Sequence, residues 1–252
     1  MRVSIIMPAY NAGRTIANAI DSVLAQTFAD WELFVIDDGS SDDTLTIAEG
    51  YAETESRICI LKNDVNQGVS RSRMRGIEAA DSPWIAFLDS DDFWRNDKLE
   101  KQFAMLEKHP DAQILFTASA FISEAGDRYT YVMEVPERVT YKQLLRGNVM
   151  SCSSVMVKRE LMLRYPMEDD RLHEDFASWL QILKEVPYAY GINEPLLIYR
   201  LSDNSKSANR IGSAGMVYRT YRFLKYNVIA SSVMTFRYAL YSIRKRRRIN
   251  GV

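Results

Sequence analysis

Apolar positions in the first ninety residues alternate between short continuous runs and stripes at the roughly 3.6-residue spacing of a helix. VSIIMPAY is such a run, and Ile16, Ile20, Val23, Leu24 and Phe28 then recur at helical spacing, which predicts a strand followed by a helix. WELFVID repeats the strand pattern. Ser41 ahead of Asp42 and Asp43 predicts a helix N-cap with acids in the first turn, where they meet the positive end of the helix dipole. RICIL, a helix from Val69 to Ala80, and WIAFL supply a third round. Strand–helix–strand units in this order give parallel strands joined by right-handed crossovers, so the expected fold class is α/β with an open, doubly wound sheet.

Beyond Trp94 the pattern loosens. Leu99, Phe103 and Leu106 form a helix stripe that His109-Pro110 should end, while ILFTASAFI and a turn at Gly126 predict longer strands in a mixed, mostly parallel sheet. Phe176, Leu180 and Leu183 predict a helix after His173-Glu174-Asp175, and LLIYRL predicts a late strand. The clearest boundary lies between Asn204 and Gly215, where Ser, Asn and Gly cluster and acidic residues stop. It divides the chain into a domain of residues 1–209 and a basic helical tail of residues 210–252.

Charge sharpens that division. The net charge is −1, from 32 Lys/Arg against 33 Asp/Glu, yet ten of the cations and none of the acids follow residue 209, leaving the body at −11 and the tail at +10. The tail interleaves Tyr218, Tyr221, Phe223, Phe236, Tyr238 and Tyr241 with its cations, and its longest uncharged run, Tyr226 to Phe236, is 11 residues. A membrane-spanning helix needs about 20. An interfacial helix ending in Arg244 to Arg248 on an anionic membrane surface is therefore expected, with a helix packed on the domain an equal alternative for residues 211 to 225. Nucleic acid is not an expected partner, because the acidic body would repel phosphate.

A length of 252 residues suits one large domain, and hydrophobic and charged shares of 47% and 26% are ordinary globular values. Cys59 and Cys152 form no metal or disulfide pattern, which points to a reducing compartment. The apolar run in MRVSIIMPAY is too short for a signal peptide, so the expected location is the cytoplasm, peripheral at the inner face of the membrane.

In an open parallel sheet the ligand crevice lies beyond the carboxyl ends of the strands. Three polar clusters follow predicted strands and should converge there: Pro8-Ala9-Tyr10-Asn11, Asp37-Asp38-Gly39-Ser40 and Asp89-Ser90-Asp91-Asp92. Asp89 and Asp91 form a DxD pair of hard oxygen donors that suits Mn²⁺ or Mg²⁺ carrying a diphosphate. Alone, an acidic pair is more often a solvated turn.

SIIMPAYNAGRTIANAIDSVLAQTF, ELFVIDDGSSDDT, NQGVSRSRMRGIEAADSPWIAFLDSDD and HEDFASWL, in this order and spacing, resemble the family 2 inverting glycosyltransferases of the GT-A fold, over residues 2 to 207. The resemblance implies a nucleotide-diphosphate sugar donor, with Asp38 on the base, Pro8 and Tyr10 lining its pocket, and Arg73 beside the base or phosphates. It implies Asp89 near the ribose and metal, Asp91 as the main metal ligand, and Asp92 in support. Inversion in one displacement needs a carboxylate that takes the acceptor's proton. The resemblance assigns that to Asp175, with Glu174 orienting it or meeting the acceptor. Phe93 and Trp94 either stack on a sugar or pack in the core.

The chain departs from the family pattern at Met74, where Asn is common, and at Ser202, where a His is common; Arg200 or Lys206 could face the diphosphate instead. Together with the tail, the resemblance implies transfer, with UDP the expected nucleotide, to a lipid-linked saccharide in surface-polysaccharide assembly. A degenerate membrane scaffold should lack one of the acidic motifs, and a sugar nucleotidylyltransferase should carry a Gly-rich phosphate loop that PAYNAGRT does not supply.

Overall fold

The structure, a computed structural model, describes residues 2–167, 169–201 and 210–249. Its first part is wound as the periodicity predicts: β1 (Val3–Ala9), α1 (Ile16–Leu24), β2 (Trp31–Asp37), α2 (Thr44–Thr54), β3 (Ile58–Lys62), α3 (Val69–Ala79) and β4 (Trp84–Phe87). Then come β5 (Phe93–Trp94), α4 (Lys98–Lys108), β6 (Ile114–Ile122), β7 (Arg128–Met133), β8 (Arg138–Val139) and α5 (Tyr141–Leu144). A 3₁₀ turn (Cys152–Ser154), β9 (Met156–Lys158), α6 (Arg159–Arg164), α7 (Glu174–Glu185) and β10 (Ala189–Arg200) follow. Two helices, α8 (Arg210–Phe223) and α9 (Val228–Ile249), end the described chain.

The sheet has the order β3-β2-β1-β4-β9-β6-β10-β5, with β7 beside β6 and β8 beside β10. β1 pairs parallel with β2 and β4, β2 with β3, and β6 with β10, while β9 runs antiparallel between β4 and β6. Successive side chains of a strand point to opposite faces, and neighbours in β1 accordingly enter different cores. Ile6 joins Ile36, Phe87, Phe116 and Trp179 on one face, and Ile5 joins Val35, Trp94 and Leu115 on the other. On the first face α3 lies close to the sheet, because a Cβ on Gly76 would stand 2.8 Å from Ile36 Cδ1 and 2.9 Å from Ile6 Cγ2.

Two local expectations need correction. Helix α2 starts at Thr44, later than a Ser41 cap would allow, because Asp42 turns its carboxylate to the backbone N–H groups of Thr44 (3.0 Å) and Gly13 (3.0 Å) and closes the turn between β2 and the α1 loop. Phe28 lies past the end of α1 and stacks on Phe103 at 4.1 Å.

Residues 210–249 form two helices where the sequence suggested one long segment. α8 sends Val217 and Tyr221 into the first core, and Leu224, just past its end, joins them. Its end is a Schellman turn: Lys225 takes a left-handed φ of 71°, Tyr226 N–H donates to Tyr221 C=O at 3.1 Å, and Lys225 N–H to Arg222 C=O at 3.0 Å. Asn227 then caps α9 through the N–H of Ala230 at 2.8 Å. No described helix is long and apolar enough to cross a membrane.

Candidate active site

The three strand-end clusters converge as expected. Asp38 N–H donates to Ala9 C=O at 2.8 Å, Asn11 N–H to Ser40 Oγ at 3.0 Å, and Leu88 N–H to Ile6 C=O at 3.1 Å, which places the loops after β1, β2 and β4 side by side. Pro8 is buried in β1, whereas Tyr10 is 51% exposed and free to present its ring to a ligand.

Asp38 is buried and organises the loop between β3 and α3. One carboxylate oxygen accepts from Asn63 Nδ2 (2.7 Å) and Gln67 N–H (2.9 Å), the other from Gly68 N–H (2.8 Å). An ionised carboxylate has about four lone-pair sites, so capacity for a ligand N–H remains. Gly68 opens α3 with φ 92°, and a Cβ there would collide with the carboxylate of Asp170. That carboxylate accepts from Ser70 N–H (3.1 Å) and Ser70 Oγ (2.9 Å), at the positive end of the α3 dipole. Gln67 and Gly68 lie in the NQGVSRSRM segment on which the resemblance rests, whereas Asn63 and Asp170 carried no signal of their own in the sequence.

Arg73 is 4% exposed, unlike its neighbour Arg71, which faces solvent. Its guanidinium donates to Asp89 at 2.6 Å and to Glu174 at 2.9 Å. One cation from α3 therefore joins the DxD loop to the start of α7. Burial opposes the charge on Arg73, and the two carboxylates outweigh it.

The DxD loop is held from below and behind. Asp89 N–H donates to Ser153 Oγ at 3.1 Å, and Trp94 Nε1 donates to Ser153 C=O at 2.7 Å. Trp94 is 3% exposed with the buried Lys98 amine 3.8 Å from its ring centre, so the reading of this residue as a sugar-facing ring is replaced by one in which it supports the loop from the core. Arg200, offered as a diphosphate contact, is also spent on the scaffold: its N–H meets Asp92 Oδ1 (2.9 Å), its Nε the Asp91 carbonyl (3.0 Å), and Nη1 the Glu124 carbonyl (3.1 Å). Met74 packs against the first core; Ser202 and Lys206 lie outside the described residues.

Burial, then the charge of Asp89, pushes Asp91 up to about 6, against the opposing pull of Arg200 and Arg73. Burial, with Asp91 and Asp89, raises Asp92 well above the usual carboxylate range, and one of its oxygens is buried without a partner. Crowded carboxylates with open oxygen positions fit a divalent cation. Among the described residues no three His, Cys, Asp or Glu side chains form a closed cage. Ions such as Mn²⁺ and Mg²⁺ can be held by one or two carboxylates, with phosphate oxygens and water in the remaining positions.

On the other side of Arg73, Asp175 lies in the first turn of α7, whose Phe176, Trp179, Leu180 and Leu183 are buried. Burial and the charge of Glu174 push its carboxyl up to about 7, opposed by Arg73 and the N–H of Phe176, which donates to it at 2.6 Å. Helix α8 pins the entry to α7: Thr220 Oγ1 accepts from His173 N–H (3.2 Å), Ser213 Oγ bonds His173 Nε2 (3.0 Å), and Arg219 Nε donates to Arg171 C=O (2.7 Å). Helix α9 passes on the other side, with Tyr238 5.4 Å from the Phe176 ring and electrostatically coupled to Asp175. A surface hollow of about 320 Å³ beside Trp84 and Arg159 is remote from these groups and holds none of them.

The model of the family "Glycosyl transferase family 2" matches residues 4–161. The chain is 35% identical over 245 residues to TuaG of Bacillus subtilis (strain 168), named as a teichuronic acid biosynthesis glycosyltransferase, with 97% of each chain covered. It is 38% identical over 211 residues to WfgD of Escherichia coli, a UDP-Glc:alpha-D-GlcNAc-diphosphoundecaprenol beta-1,3-glucosyltransferase, covering 82% of this chain and 80% of that one. Among solved structures, the mannosyltransferase PcManGT of Pyrobaculum calidifontis in complex with GDP-Man and Mn²⁺ superposes with a TM-score of 0.72 at 16% identity, covering 96% of this chain and 72% of that one.

Proposed function

Since the chain belongs to glycosyl transferase family 2 and has the GT-A fold, we propose that it transfers a sugar, with inversion, from a nucleotide-diphosphate donor to a lipid-linked saccharide in cell-surface polysaccharide assembly. UDP is the nucleotide this reading favours, because WfgD takes UDP-Glc. The observation that carries the proposal is the Arg73 bridge, which joins Asp89 of the DxD loop to Glu174, the neighbour of Asp175 on α7.

In this reading Pro8, Tyr10 and Asp38 hold the base, and Asp89 lies near the ribose. Asp91 and Asp89 would hold Mn²⁺ or Mg²⁺, which supplies positive charge to the leaving diphosphate. Asp92 and Arg200 fix the loop that carries them. Asp175 accepts the proton of the acceptor hydroxyl as its oxygen bonds to the anomeric carbon, and the bond from that carbon to the diphosphate oxygen breaks in the same displacement. A carboxyl held at about 7 suits a base that is about half ionised at neutral pH and readily takes a proton there. Glu174 neutralises Arg73 and so keeps Asp175 in place.

The tail belongs to the same proposal. Ile229, Val233, Phe236, Leu240 and Ile243 are between 41% and 78% exposed and fall on one stripe of α9 at spacings of four and three. Arg237, Arg244 and Arg247 border or extend it, exposed. An apolar stripe edged by cations suits the headgroup region of an anionic bilayer, so the protein would work as a peripheral enzyme at the cytoplasmic face.

The test is calorimetric titration with UDP, GDP, CDP and dTDP, each with Mn²⁺ and again with EDTA, on the unsubstituted protein and on Asp91→Ala. Metal-dependent binding of one nucleotide, lost in Asp91→Ala, is expected. Absence of binding to all four would overturn the transferase reading.

A further inference from the structure

Helix α9 carries its exposed stripe on one side, and on the opposite side Tyr238, Tyr241, Lys245 and Ile249 face the domain. Tyr241 lies against Gly147, where a Cβ would stand 2.6 Å from its ring, and Ile249 packs with Phe121 and Met133. These contacts fix the roll of the helix. Lys245 lies between them, partly buried, with its amine 5.9 Å from the centre of the Phe121 ring and in electrostatic contact with Asp175. No described carboxylate lies within ion-pair distance of it. A partly buried cation set against an aromatic ring, with Asp175 acting on it only from beyond ion-pair distance, has capacity for an anion that arrives from outside.

The placement says which anion. Asp175 marks where the acceptor hydroxyl must sit in the proposed reaction, and the donor's diphosphate belongs at Asp89 and Asp91, across the Arg73 bridge. Lys245 is on the α9 side of Asp175, which is the side toward the outward stripe and therefore toward lipid. The outer and inner faces of a helix are separated by about one helix diameter, roughly 10 Å. A helix bedded in the headgroup layer by its outer face thus presents its inner face at the level where a lipid-linked saccharide carries its phosphates.

We propose that Lys245 binds the diphosphate that joins the acceptor saccharide to its lipid, so that α9 both seats the enzyme on the membrane and sets the distance from the acceptor's anionic linkage to Asp175. This rests on the transferase reading given above. Burial, which pulls the amine down to about 8, is relieved when a diphosphate supplies the missing counter-charge. Tyr238, beside both Phe176 and Asp175, would border the sugar that lies between the two charges.

The test uses the full chain with its donor site filled by saturating UDP and Mn²⁺, titrated with decyl diphosphate and, as a control, with decanol. The unsubstituted protein should bind decyl diphosphate and not decanol. Lys245→Gln should weaken that binding by about tenfold or more, as expected for loss of a charge-assisted contact, and Lys245→Arg should keep most of it. UDP affinity, which also reports folding, should stay within about twofold, and so should cosedimentation with vesicles of anionic phospholipid. Undiminished decyl diphosphate binding in Lys245→Gln, with UDP still bound, would overturn the assignment of Lys245 alone. Loss of vesicle binding in that variant would assign the lysine to bulk headgroups and overturn it equally. Failure of the unsubstituted protein to bind UDP would instead remove the transferase reading, and this proposal with it.

Discussion

Tyr10, Asp38 and Asp89 stand at the ends of three adjacent parallel strands, whereas Asp175 and Lys245, which the proposals join to the same site, are carried by two helices far apart in the chain. The first group is fixed by backbone pairing. β1 holds β2 on one side and β4 on the other in continuous register, so the loops that follow them are placed once the sheet forms. The second group is fixed by side chains: Thr220 and Ser213 on His173, Tyr238 on Phe176, and Arg73 on Glu174. In the proposed reading the sheet side forms the donor wall, and its geometry is set by backbone pairing. The helix side would then form the acceptor wall, whose side-chain contacts can change without disturbing the strand pairing.

The sharpest way to separate the two walls is Asp175→Asn. If the base lies on the helix side and the nucleotide on the strand side, transfer should fall by about 10²- to 10⁴-fold while UDP affinity changes little. Single-turnover transfer and calorimetry on one preparation decide it, and substantial residual transfer would move the base elsewhere. The same variant has a stability signature. A carboxyl whose folded-state pKa is raised from 3.8 to about 7 favours folding while protonated, and that contribution is lost as pH rises through about 7. Asp175→Asn should therefore resist urea better than the parent at pH 8 and show no such advantage at pH 4.

Arg73→Met tests the joint between the walls. It would leave Glu174 buried without its partner cation and free the DxD loop from α7. Breaking a buried pair in this way costs about 3 kcal/mol or more, which urea denaturation would register. Donor binding should weaken as well, because Asp89 loses its anchor. Full stability with normal donor affinity would show that the two walls stand independently.

The same contrast explains what could be read from the sequence. The strand–helix alternation, the boundaries of β2 and α3, and the clustering of Asp38 with Asp89 all follow from local periodicity and from the rule that ligands sit at strand ends. Arg71 and Arg75 flank Arg73 in the sequence with the same chemistry, and the burial of Arg73 on the face of α3 that approaches the sheet at Gly76 shows which of the three turns inward. Trp94 was open between sugar and core, and its Nε1 bond to Ser153 settles it for the core. Ser153, Asp170 and Lys245 had no readable signature, since each acts through a partner distant in sequence. The break at Lys225 escaped notice because a left-handed residue there is expected to be Gly or Asn.

A smaller effect follows from the acid limb of the pH–rate profile. With Asp175 as the base, transfer should decline as pH falls through about 7, reaching roughly a tenth of its plateau at pH 6. Nucleotide binding followed over the same range separates this from titration on the strand side, where Asp91 is held up at about 6. A limb in transfer at about 7 with flat UDP binding belongs to the helix wall. A limb shared by both belongs to the DxD loop.

The mildest test bears on α9 and asks whether its two faces act separately. Arg247 is exposed and lies in line with the apolar stripe, so in the proposed arrangement it meets headgroups and never the cleft. Each cation near an anionic surface contributes about 1 kcal/mol, which makes Arg247→Ser about fivefold weaker in vesicle cosedimentation at low salt. The deficit should shrink as salt is raised, because screening removes the attraction from parent and variant alike. Transfer to a water-soluble acceptor should be untouched. Lys245→Gln, two residues earlier and on the other face, should give the reverse pattern, with vesicle binding kept and acceptor binding lost. Equal loss of both properties in both variants would mean that α9 acts as a single undivided basic surface, and the separation of lipid seat from acceptor site would fail.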